Sequence, residues 1–262
     1  MSLPESLFGL FLVQLALGMV AFLPLLGVVG TGFARFVSLL ALVMLGGVCA
    51  VQLRLEGPVE PDALAIVVLA GALVVYQGLL SVAGPRAFRA TTLVLGASAL
   101  VAGGTYFAAY LVGDTSGYDA LRLAGLFGTL SCLGAVMVAM ILGHWYLVNF
   151  DLALAPFRTM GWALIGALVL RLALSLAAIL VLAATVPGVS GVEDFAMRHA
   201  FELLPRVLFG QVVPIAFAAM TLHTIGLGNK QAATGLLYAT IIPILMGETM
   251  ANVVFLLTRV PV

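Results

Sequence analysis

MGWALIGALVLRLALSLAAILVLAAT, Met160 to Thr185, is the stretch that decides the fold. It exceeds the roughly 20 apolar residues that carry a helix across a bilayer. Its single charged side chain is Arg171. The run has neither the alternation of a strand nor the polar face of a soluble helix, so lipid is the solvent it suits.

Outward from this run the same pattern recurs. Spans are expected near 7–29, 33–53, 63–83, 89–112, 118–149, 160–185, 207–227 and 231–257. Between them lie turn-forming breaks: Arg54 to Asp62 with two prolines, Gly84-Pro85-Arg86, Gly113 to Gly117, Asp151 with Pro156, and Gly228-Asn229-Lys230. The segment 192–204 differs from the rest. Glu193, Asp194, Arg198, His199 and Glu202 mix with Phe195, Phe201 and Leu203 at near-helical spacing, as in a helix lying in the membrane interface. Pro205 is expected to end or kink it. The reading is an all-α, polytopic integral membrane helical bundle: one transmembrane domain over 1–262, about eight transmembrane helices and one interfacial amphipathic helix.

Composition agrees. Charged residues make up 8% of the chain, against about a quarter in soluble domains, and 63% is apolar. Mean hydropathy is +1.24 and formal net charge is zero. No basic cluster offers a nucleic-acid footprint. No Walker A loop, HExxH, GxSxG or GxGxxG motif occurs, which argues against nucleotide-driven chemistry by this chain. Cys49 and Cys132 form no CxxC motif and read as small buried apolar residues. Met1 to Leu7 lacks a basic region, so the first apolar run reads as a retained span.

Loop charges suggest an orientation. Arg35, Arg86, Arg89, Arg158 and Lys230 fall on one face with Asp151. Arg54, Arg122, Arg198, Arg206 and Arg259 fall on the other, among most of the acids. Lys and Arg, which carry the positive-inside rule, are equal on the two faces. The short, Arg-rich loops assign the first face to the cytoplasm, with both termini outside, in a bacterial cytoplasmic (inner) membrane.

Against the apolar background, polar side chains inside spans are the functional candidates, because each is costly there. Arg171 lies mid-way along the sixth span and Glu248 in the second half of the eighth, at similar depth. They can pair, and Asn252 lies one helical turn from Glu248. This constellation reads as a proton or substrate site, or as a structural ion pair. His144 and His223 lie near the same end of the fifth and seventh spans, where two neutral imidazoles can ligate one haem b, hold a metal, contact a quinone or relay protons. Trp145 and Tyr146 beside His144 suit a cofactor wall and equally the membrane interface.

Other polar residues divide by depth. Gln14, Tyr106, Tyr110 and Gln211 join Glu248 in one leaflet, and Tyr76, Gln77, Thr221 and Thr224 join the histidines in the other. Two polar pockets would result if their helices were neighbours. Pro24, Pro214 and Pro243 lie inside spans, where they bend helices and can open a cavity.

Three functions fit. The leading expectation is a membrane subunit of a redox or proton-coupled system, with haem or quinone at His144 and His223, a proton at Glu248 and Arg171, and soluble electron-transfer partners. The second is a proton-coupled secondary transporter for a small solute, with its site among Arg171, Glu248, Asn252 and Gln211. The third is a non-catalytic anchor or assembly subunit, whose polar residues only hold helices together.

Overall fold

The computed structural model describes residues 3–26, 29–55, 61–82, 84–111, 118–149, 151–185, 191, 193–194, 197 and 200–258. These residues are helical between short turns, and none of them is in a strand. The long helices are α1 (Leu3–Phe22), α2 (Thr31–Leu55), α3 (Pro61–Leu79), α4 (Pro85–Ala108), α5 (Asp119–Val148), α6 (Ala155–Thr185), α7 (Val213–Gly226) and α8 (Lys230–Thr258). Seven helical stretches are long and apolar enough to cross a membrane, α7 together with the turns before it, and α3 contributes a shorter apolar stretch, Leu64–Leu79. The side chains facing outward are those lipid accepts: Val67, Val68, Val74 and Val75 on α3, and Leu176 and Leu180 on α6 are all exposed.

The punctuation is chemical. Pro24 cannot donate the next helical hydrogen bond, and α1 gives way to a 3₁₀ turn at Leu23–Leu26, short of the expected limit at Val29. Pro85 opens α4 in its first turn, where a missing N–H costs nothing. Gly228, with φ +74°, closes α7, and Asn229 Oδ1 then accepts from the Ala232 N–H at 2.9 Å to start α8. The fifth span runs within a residue of expectation.

Pro205 distorts the helix without ending it. The helical turn Ala200–Leu204 does not stop there but continues into a π-helical segment, Pro205–Val212, and directly into α7. A wider i→i+5 turn accommodates the proline and recruits Arg206, which sequence placed among the loop charges, into the bundle interior. Within the expected interfacial helix, Glu193, Asp194, Met197 and Ala200–Leu204 are helical; Arg198 and His199 lie outside the described residues.

α5 is the axis of the bundle. It packs on α1, α6 and α8, while α7 and the π segment pack on α6 and α8. Helices α2, α3 and α4 form a flank joined to the centre mainly through α1. Two crossings are made backbone to backbone. A Cβ on Gly18 of α1 would lie 2.8 Å from Gly134 Cα of α5, and one on Gly210 of the π segment 2.8 Å from Gly247 Cα of α8. Glycine alone permits both approaches, as at small-residue crossings in membranes generally.

Candidate functional site

The second glycine crossing seats Glu248 against the π segment. Glu248 is fully buried, and its carboxylate is met from three elements. Thr129 of α5 donates its hydroxyl to Oε2 at 2.7 Å, and Arg171 of α6 donates Nε to the same oxygen at 3.2 Å. Arg206 of the π segment donates Nη2 to Oε2 at 3.2 Å. The same nitrogen is 3.1 Å from Oε1, an ion-pair distance without hydrogen-bond alignment. All three partners donate, as around an ionised carboxylate. Arg171 and Arg206 are each only 2% exposed. Gly128, one residue before Thr129, leaves room for Arg171: a Cβ there would come within 2.8 Å of its Cδ.

The Arg171–Glu248 pairing expected from sequence is therefore formed. Arg206 and Thr129 complete it and were not singled out beforehand. Pro205 and the neighbouring acids made Arg206 look like a loop residue, and Thr129 resembles any helical threonine. In an apolar interior, losing one partner of such a pair typically costs about 3–5 kcal/mol, whereas replacing the whole set by apolar groups is often neutral or stabilising. Stability alone thus gives little reason for the cluster.

The surroundings are asymmetric. Towards the end where α5 begins, a cavity of about 10 Å³, room for a single water, is lined by Arg122, Gly125, Leu126, Thr129, Arg171, Ala251, Asn252 and Phe255. Arg122 is buried and 3.6 Å from Asp119, which is half exposed in the first turn of α5. Polar groups thus run from that face to Glu248. Towards the opposite face the same helices present Leu133 and Val136 (α5), Leu164 and Leu168 (α6), and Leu237 and Ile244 (α8), all fully buried. That side is closed by apolar packing, and the threonines buried within it, Thr234 and Thr240, donate to carbonyls of their own helix.

The remaining polar residues are spent in separate bonds. Asn252 Nδ2 donates to Gln14 Oε1 at 2.6 Å, tying α8 to α1, and Gln211 Nε2 donates to Ser175 Oγ at 2.6 Å, tying the π segment to α6. These border the charged cluster, so the expected polar group in this leaflet is partly assembled. Its Tyr106–Tyr110 pair packs with Phe107, and Tyr110 reaches Phe255 of α8 at the cavity. The other expected group is not. Tyr76 bonds Thr92 and Gln77 bonds Ser38, both within the flank, while Thr221 and Thr224 donate to carbonyls of their own helix.

His144 and His223 are both exposed on the bundle surface. Tyr238 of α8 places its hydroxyl 3.5 Å from His144 Nδ1, and among the described residues no hydrogen bond joins the two imidazoles. A haem between them would lie on the outside of the packed helices. The neighbours of His144 are anchored structurally: Trp145 packs edge-on against Phe33, and Tyr146 stacks on Phe157, donates to the Ala153 carbonyl and lies under Lys230. Among the described residues no three His, Cys, Asp or Glu side chains gather as a metal site.

No protein-family model, curated protein or solved structure matches the chain.

Proposed function

We propose that the protein is a proton-coupled secondary transporter for a small solute, with Glu248 as the proton-carrying group. The observation that carries this reading is the burial of Glu248 between Arg171 and Arg206, with a polar, water-sized approach on one side and an apolar seal on the other. An ionisable group in the bilayer interior is retained at a cost, and such groups line ion and proton paths. With Glu248 ionised, the two guanidiniums hold the carboxylate and lock α6, α8 and the π segment together. A proton arriving past Arg122 and Asn252 neutralises the carboxylate, weakens both ion pairs and releases that lock. The π segment, with Pro214 just beyond it and Pro243 inside α8, supplies the bendable elements on which a rearrangement can turn.

The test is solute-driven proton entry into proteoliposomes loaded with a pH-sensitive dye, using nitrate, gluconate, glycine and glucose as probes. At least one probe should acidify the lumen with wild-type protein, and Glu248→Gln should abolish that response while the variant remains folded. Undiminished acidification with Glu248→Gln would remove Glu248 from the mechanism.

A second reading, a membrane redox subunit, draws on the exposed His144 with Tyr238 beside it, where a quinone could approach from the lipid. Its check is optical: a haem at His144 and His223 predicts a Soret band in protein expressed with haem supplied, lost in His144→Ala. A featureless visible spectrum eliminates the haem.

A further inference from the structure

We infer that the transported solute is a small planar monovalent anion, a carboxylate or its isostere, which takes the place of the Glu248 carboxylate between Arg171 and Arg206. This rests on Glu248 being the proton carrier and adds what travels with the proton. The site is a donor cradle. Thr129 Oγ1, Arg171 Nε and Arg206 Nη2 all donate to one carboxylate. Arg206 also holds Nε and Nη1 buried with no hydrogen-bond partner among the described residues. Glu248 Oε1 beside them is likewise without a hydrogen-bond partner, and Nη1 lies against the Gly210–Gly247 crossing, so donor and acceptor capacity here is only partly matched and a small shift of the acceptor would use it. An unsatisfied buried donor costs on the order of a hydrogen bond, so their presence calls for an explanation.

When Glu248 takes up a proton it becomes a neutral acid and can no longer balance the guanidiniums. An anion entering at that moment restores the charge and, through two oxygens, meets the planar fork of Arg206 as a carboxylate does. One proton and one monovalent anion then cross together, and no net charge moves. Size follows from packing. The adjoining cavity holds one water, and the Gly210–Gly247 crossing closes tightly beside the cradle. The space freed when the Glu248 carboxyl withdraws is that of a carboxylate, which selects formate- or nitrate-sized anions over larger organic acids.

Removing the internal carboxylate should make the cradle accept an external one. In detergent, at fixed ionic strength, nitrate and formate should raise the melting temperature of Glu248→Ala by several degrees. Formamide, of the same shape but uncharged, should leave it unchanged, and adding Arg206→Gln should erase the anion effect. An equal rise with formamide, or an anion effect that survives Arg206→Gln, overturns the inference. Where Glu248→Ala fails to fold, Glu248→Gln, which carries a neutral side chain of the same shape as the protonated acid, decides. Nitrate should stabilise Glu248→Gln and leave wild-type protein in alkaline buffer unchanged; the same response in both, or in neither, overturns the cradle.

Nitrate-driven lumenal acidification in wild-type proteoliposomes separates this inference from the reading beneath it. Nitrate is suited to the purpose because it does not cross lipid as a neutral acid. Nitrate stabilisation without acidification by any probe overturns the transporter and keeps the anion cradle. Acidification driven by glucose or glycine, with no nitrate response, keeps the transporter and overturns the anion.

Discussion

The centre of the bundle and its flank are both helical, apolar outside and tied by buried polar contacts, yet they use polarity differently. In the flank the helices are joined by neutral pairs: Tyr76 of α3 with Thr92 of α4 at 2.8 Å, and Gln77 of α3 with Ser38 of α2 at 2.9 Å. Each satisfies itself locally and ties two helices. At the centre, α5, α6, α8 and the π segment meet on one carboxylate and two guanidiniums. Neutral pairs suffice to hold membrane helices together, at about 0.6 to 2 kcal/mol each. A chain that already glues its flank this way has no structural need for buried charge at its centre, and that contrast favours a working site there.

The contrast can be broken by substitution. Glu248→Ala should have the largest effect, a loss of about 3–5 kcal/mol, because it strands two buried guanidiniums; unfolding in mixed micelles measures it, and a loss under about 1 kcal/mol would mean that the cluster is already solvated. Next come the glycine crossings. Gly18→Ala and Gly247→Ala each push a Cβ into the facing backbone and should cost about 1–3 kcal/mol. Gly46→Ala, with nothing within 4 Å of the new Cβ, should be neutral or stabilising by up to about 1 kcal/mol. Equal effects at all three positions would count against the tight crossings. Smallest among the losses is Tyr76→Phe, about 0.6–2 kcal/mol of stability with proton uptake unchanged. A transport defect from Tyr76→Phe would place the flank inside the mechanism and dissolve the distinction.

Much of this centre was legible in the sequence. Arg171 and Glu248 stand out because each is an isolated charge in an apolar run, and their distances from the span ends gave a matching depth. Arg206 did not stand out, since a proline one residue earlier and acids upstream are what a loop looks like. Only the continuity of the helix through Pro205 brings it inside. Thr129 was invisible for another reason: a helical threonine normally satisfies itself on its own backbone, as Thr221 and Thr240 do. The Gly18–Gly134 crossing was not legible, because a close crossing is a property of two helices and sequence presents them one at a time. The histidines show the converse. Equal depth was readable, but which way each imidazole points depends on helix rotation, and both point outward.

The central claim is that the buried charges serve function and not folding. Replacing Arg171, Arg206 and Glu248 together by Leu removes every charge of the cluster without stranding one. Proton uptake by this triple variant, measured beside its unfolding transition, is the most direct test. The account predicts a protein about as stable as wild type that moves no protons under any solute gradient to which wild type responds. A triple variant that folds and still acidifies the lumen would contradict it.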